Sequence, residues 1–171
     1  KDNHKNNFEY HTGHLYLNEI TDQHGKCDFS FTCTRNTYSR MISLYVWTGV
    51  KNLKKLHKSY RRNTDPTEYI ATQEAYNRGI VPFLHHIKKT KPRLMESQTT
   101  WIKNVDIVLR LENLNDDFKI IQDRLNVHNP LVKEVHKMEY VAKDFYTTEF
   151  KRVVEHYLGD EIEHFKYLPK Y

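Results

Sequence analysis

Glycine is scarce in this chain, with five in 171 residues, and none of them forms a glycine-rich turn between a strand and a helix. A backbone cradle of the kind such loops build around phosphates is therefore missing from the sequence. Long apolar runs are missing too. No stretch approaches the roughly 18–20 residues needed to span a bilayer, and the opening Lys1–Asn7 is polar, without the apolar core of a secretory signal. Cysteine is limited to Cys27 and Cys33, both within one strand-like run. A bridge between them along one extended strand is geometrically poor, so two buried free thiols are expected. No internal repeat or low-complexity segment divides the chain.

What is present is the balance of one soluble globular domain. Hydrophobic residues at 38% and charged residues at 29% leave enough apolar material for a core and exclude a disordered polar chain. The length suits a single domain over residues 1–171 and falls short of two. The formal net charge is +5. Basic residues gather in Lys51–Arg62 and again in Lys88–Arg93. Such a surface attracts an anionic partner, whether nucleic acid, polysaccharide or nucleotide, or is simply a solvated helix face. Charge alone does not choose.

Periodicity and stop signals outline the elements. Leu15–His24 reads as a helix closed by Gly25, and the aromatic and β-branched run Cys27–Thr34 as a strand. Tyr38, Met41, Ile42 and Tyr45 recur at helical spacing, starting a helix that runs toward Lys58. After the Asn63–Pro66 break, Thr67–Arg78 forms a helix stopped by Gly79, followed by a second over Val81–Lys89. Asp106–Leu111 is a second strand; Asn115, Asp116 and Asp117 cap a helix over Phe118–Leu125. Thr147–Phe165 is a closing amphipathic helix interrupted by Gly159. Strand–helix alternation predicts an α/β fold, a parallel sheet flanked by helices.

The segment most suited to chemistry is Phe29–Trp47, where a strand delivers Arg35 at its carboxyl end and a helix begins at once. Ligands of α/β folds settle in the crevice beyond the carboxyl ends of parallel strands. A helix amino terminus favours an anion, and a guanidinium fork matches phosphate oxygens. Ser43 lies eight residues on, two turns into the helix. The plain alternative is an arginine that caps the sheet edge. His85 and His86 are adjacent and so point in different directions on a helix, with no Cys or acid at metal spacing.

Phe29–Trp47 resembles the sulfotransferase segment written as a strand followed by R-[ND]-P-x-x-R-x-x-S-x-Y. Arg35, Arg40, Ser43 and Tyr45 fill the pattern, and Thr37 stands where the family has proline. Asp106–Phe118 resembles the family's second strand with its R-x-E-x-L-x-x-D-F pattern, and Asp144–Tyr167 its closing helix ending in F-x-Y. The likeness runs from about Tyr10 to Tyr167 and is nearest the carbohydrate branch that includes heparan sulfate 2-O-sulfotransferase. It implies a partial P-loop-NTPase-like sulfotransferase fold. It also implies transfer of a sulfuryl group from 3′-phosphoadenosine 5′-phosphosulfate (PAPS) to a hydroxyl acceptor, a carbohydrate rather than a nucleic acid.

By the same resemblance, Arg35 and Ser43 hold the donor's 3′-phosphate. A Y-H-G-H segment supplies the catalytic base in the 2-O-sulfotransferase branch. Here Tyr10–Leu17 reads YHTGHLYL, which implies His14 as the base, with His11 and Glu9 as alternatives. A histidine that is neutral near pH 7 suits that proton transfer. Lys133 and Lys137 fall in a loop that passes near the donor's adenosine end, and are candidates for further phosphate contacts. Gln98 and Trp101 match a Q-x-x-[FWY] feature of bacterial relatives without an assigned role, and Glu112 is expected to fix the fold. No metal is called for, because a sulfuryl group carries less charge than a phosphoryl group.

The family's P-K-x-G-[GT]-[ST] loop, which holds the 5′-phosphosulfate, does not occur here. By the family's order it belongs upstream of Lys1, and the shortage of strands and glycines predicts a truncated chain. Two rival readings remain: an inactive sulfotransferase-like module that binds an anionic glycan, and a relative of the P-loop kinases.

Overall fold

The computed structural model describes residues 16–49, 66–127 and 142–169. Helix α1 (Leu17–His24) starts where Glu19 reaches back to accept the Tyr16 N–H, at 2.7 Å, and stops at Gly25. Gly25 holds φ +83°, a conformation that a side chain resists. Strand β1 (Phe31–Thr34) follows, then helix α2 (Thr37–Trp47). Helices α3 (Pro66–Asn77) and α4 (Ile80–Thr90) are joined by a tight link in which Gly79 takes φ +110°. A 3₁₀ turn (Pro92–Met95) leads to the short helix α5 (Gln98–Trp101), capped by Ser97. Strand β2 (Ile107–Arg110) continues through another 3₁₀ turn into α6 (Leu114–Leu125), and α7 (Thr148–Phe165) closes the described chain.

The described residues are mostly helical, with a two-stranded parallel sheet, a generic α/β arrangement. β1 and β2 pair from Phe31 opposite Ile107 to Thr34 opposite Arg110. The main core lies between helices. Tyr38, Met41, Ile42 and Val46 of α2 meet Phe83, Leu84 and Ile87 of α4 and Phe150, Val153, Val154 and Leu158 of α7. Burying each such side chain contributes about 1.5–3 kcal/mol, so this three-helix contact dominates the stability of the unit. Aromatic edges tighten it: Phe150 stands edge-on to both Tyr38 and Tyr146. Leu109 of β2 and Ile121 of α6 are buried beside the sheet.

Several sequence expectations shift. Both strands are shorter than their hydrophobic runs, and α6 begins at Leu114 after Asn113, not after the Asn115–Asp117 cluster. The Asp117 carboxylate is taken by the Arg110 N–H at 2.7 Å, so it ties β2 to α6 instead of capping the helix. The cysteines are free, but both are exposed, which overturns their expected burial. β1 begins only at Phe31, leaving Cys27 in irregular chain, and Cys33 shares its strand face with the half-exposed Phe31. The break in α7 falls at Leu158, with φ −136° and ψ 26°, immediately before Gly159.

Candidate anion site at the strand–helix junction

Arg35 follows the last residue of β1, and Asn36 then opens α2. Residues on either side of Arg35, Thr34 and Asn36, are buried, while Arg35 itself is half-buried. That alternation is what an extended chain leaving a covered sheet predicts. Thr34 Oγ1 donates to the Leu109 carbonyl at 3.2 Å and accepts the Tyr167 hydroxyl at 3.1 Å, fixing the strand end against β2 and the carboxyl side of α7.

Asn36 is bonded on all sides. Its Oδ1 accepts the N–H groups of Tyr38 (3.1 Å) and Ser39 (3.3 Å), its Nδ2 donates to the Leu168 carbonyl (2.8 Å), and its N–H donates to Glu112 (2.6 Å). Two first-turn donors of α2 are thus already satisfied by the cap. The amino terminus of α2 has correspondingly less to offer an anion than the sequence implied. Glu112 acts in the fold, as expected from the sequence, by holding the Asn36 N–H.

Ser43 lies two turns into α2, half-buried, on the flank turned away from Tyr38, Met41, Ile42 and Val46. Seven residues at 1.5 Å per residue put it about 10 Å along the axis from Asn36. An anion shared by Arg35 and Ser43 therefore requires the arginine side chain to run along α2. The two sequence-predicted residues belong to one strand–helix unit, Arg35 just before the cap of α2 and Ser43 two turns beyond it. His14, His11, Glu9, Lys133 and Lys137 lie outside the described residues, as does the basic Lys51–Arg62 run. Lys88–Arg93, the second basic cluster, has partners of its own. Lys91 pairs with Glu68 at 3.2 Å, Arg93 pairs with Glu19 at 3.3 Å and covers the Tyr16 ring, and Lys88 stands over the ring of Tyr157. His85 Nδ1 meets the Tyr157 hydroxyl at 2.7 Å and His86 Nε2 meets Thr72 Oγ1 at 2.9 Å, so the two rings turn to different neighbours.

Behind Arg35 lies a buried polar network that sequence reasoning missed. Gln98 grips the main chain of Arg35 on both sides: its Oε1 accepts the Arg35 N–H at 2.8 Å and its Nε2 donates to the Arg35 carbonyl at 2.8 Å. Nε2 also donates to Glu161 Oε1 at 2.7 Å, and the Gln98 N–H donates to Glu161 Oε2 at 2.7 Å. Glu161, fully buried on α7, further accepts the Thr37 hydroxyl at 2.6 Å and the Arg40 guanidinium at 2.8 Å. Burial lowers the pKa of Arg40, and the adjacent Glu161 carboxylate opposes that shift. The Arg40 guanidinium also lies over the Trp101 ring, 5.5 Å from its centroid. The Q-x-x-W feature therefore has a structural role: Gln98 clamps one arginine and Trp101 covers the other. One signal for this was in the sequence. Glu161 falls on the apolar stripe of α7 with Val154, Leu158 and Phe165, a position that an acid occupies only with partners.

A pocket opens beyond the carboxyl end of β2, lined by Asn36, Arg110, Glu112, Phe165, Lys166 and Tyr167. Two cations, one acid and two aromatic rings border it, and neither Arg35 nor Ser43 is among its lining residues. No family model matches this chain, and no curated protein or solved structure matches it significantly.

Proposed function

We propose that this chain is a sulfotransferase domain that moves a sulfuryl group from PAPS to a hydroxyl acceptor, a carbohydrate. The observation that carries the reading is the placement of Arg35 at the carboxyl end of a parallel strand, one residue before the cap of α2, with Ser43 two turns along the same helix. The R-N-x-x-x-x-x-x-S spacing of the sulfotransferase pattern is met there by residues that are both half-buried, not sealed into the core. A fuller parallel sheet of the P-loop-NTPase-like kind belongs to the same proposal.

The residues suit a phosphate monoester. Arg35 offers a planar fork of donors whose backbone is fixed by Gln98, and Ser43 offers a hydroxyl donor. These two would bind and orient the 3′-phosphate of PAPS. The donor supplies the sulfuryl group, whose bond to the 5′-phosphate oxygen breaks as the acceptor oxygen bonds to sulfur. His14, or in its place His11, would take the acceptor's proton, with Lys133 and Lys137 near the donor's phosphates. Such a transfer depends on alignment and charge stabilisation more than on covalent chemistry.

Calorimetric titration with adenosine 3′,5′-bisphosphate tests the reading. The unaltered chain is expected to bind, and Arg35→Ala to lose at least about tenfold in affinity, the loss of one charge-assisted contact. Binding that is unchanged in Arg35→Ala, or absent from the unaltered chain, overturns the reading.

A further inference from the structure

We infer that Gln98 is a positioning residue for Arg35, and that buried Glu161 sets the polarity of its amide so that the clamp can form. The inference rests on the reading of Arg35 as a phosphate anchor.

The need for such a clamp follows from the direction of the strand's polar groups. The Ile107 N–H donates to the Ser30 carbonyl, and the parallel register then turns the main-chain groups of Ser30, Thr32 and Thr34 toward β2. Those of Arg35, one position on, turn to the opposite edge of β1, where no strand lies among the described residues. The Gln98 side-chain amide fills that edge, with one acceptor and one donor matched to the two main-chain polar groups of Arg35, as a neighbouring strand would be. This holds residue 35 extended and keeps its side chain on the half-buried face between buried Thr34 and Asn36.

The amide works in only one orientation, and Glu161 imposes it. A carboxylate accepts and does not donate, so the Gln98 nitrogen must face Glu161 Oε1, and the oxygen is left for the Arg35 N–H. Thr37 and Arg40 hold the carboxylate from the α2 side. Glu161 thus joins the helix that follows Arg35 to the residue that grips it. Gln98 and Glu161 are both buried at 1% or less exposure, out of reach of a ligand. They act through Arg35.

The test measures affinity for adenosine 3′,5′-bisphosphate in Gln98→Glu across pH 5.5–8.5. A protonated carboxyl at this position keeps an acceptor for the Arg35 N–H and shares its proton with Glu161; an ionised one repels Glu161. Affinity is expected to approach that of the unaltered chain at the acid end and to fall at least about tenfold toward the alkaline end. The unaltered chain should vary much less. A residue that served the fold alone would lower the melting temperature and leave the affinity of the folded protein flat with pH, and that result overturns the inference. The second measurement needs no substitution: residue-resolved hydrogen exchange of the unaltered, ligand-free chain. Protection of the Arg35 amide comparable to that of the β1 amides is expected. Exchange as fast as an unbonded amide overturns the clamp. If the unaltered chain does not bind the nucleotide, the donor reading falls and takes this inference with it; if it binds, needs Arg35, and ignores Gln98→Glu at every pH, this inference falls alone.

Discussion

Replacing Glu161 by alanine should be among the most damaging single changes to this fold. The substitution removes the acceptor of four hydrogen bonds, from Thr37, Arg40 and both nitrogens of Gln98, each between 2.6 and 2.8 Å. It leaves the Arg40 side chain, 13% exposed, with the Glu96 carbonyl at 3.1 Å and the Trp101 ring, but without its counter-charge. Removing one partner of a buried ion pair costs about 3–5 kcal/mol, because the remaining charge stays desolvated. Stranded neutral donors add to this, though not additively, since relaxation admits water. A value near 4 kcal/mol is a large share of the roughly 5–15 kcal/mol available to a domain. With a urea dependence of about 2 kcal/mol per molar, the unfolding midpoint should fall by about 2 M. Urea unfolding followed by circular dichroism measures it. A second variant, Arg40→Met combined with Glu161→Leu, removes both charges and should lose less than Glu161→Ala alone. A Glu161→Ala midpoint within about 0.5 M of the unaltered chain would refute the buried network as a stabilising feature.

Two further changes probe the core and α7. Burial, reinforced by a hydrogen bond to Glu155, pushes the Tyr38 phenol well above its usual value. The native state therefore keeps it neutral while the unfolded chain ionises near pH 10, so its contribution to stability is present below about pH 10 and is lost as pH rises further. Ultraviolet titration should show that Tyr38→Phe removes no tyrosinate signal at pH 10.5; loss of such a signal contradicts the assignment. Gly159→Ala should stabilise the chain by about 0.4–1 kcal/mol, because a Cβ there meets nothing within 4 Å and the unfolded chain loses freedom. Thermal unfolding reads this, and a lowered midpoint would mean that the break at Leu158 needs glycine beside it.

Much of the scaffold was legible because it follows local rules. The apolar spacing through Tyr38, Met41 and Ile42, and through Phe150, Val153 and Val154, marks the faces that meet in the core. Gly25 and Gly79 end helices where a positive φ is required. What local rules could not give were the partners supplied by distant chain. Asp117 looked like a helix cap until the Arg110 N–H claimed it. Cys33 looked buried because a strand-like run does not reveal whether a layer covers it. Arg35 and Ser43 were legible as types at a spacing, whereas the grip of Gln98 on the Arg35 backbone joins residues 63 positions apart and is written in no local pattern. Glu161 on an apolar stripe announced a buried partner without naming it.

The central claim is that the Arg35 guanidinium and the Ser43 hydroxyl together hold the phosphate on a nucleotide's ribose. A crystal structure of this chain with adenosine 3′,5′-bisphosphate tests it most directly. The 3′-phosphate oxygens are expected within about 2.7–3.2 Å of donors on both residues. Nucleotide bound elsewhere, with Arg35 and Ser43 facing apart, would contradict it.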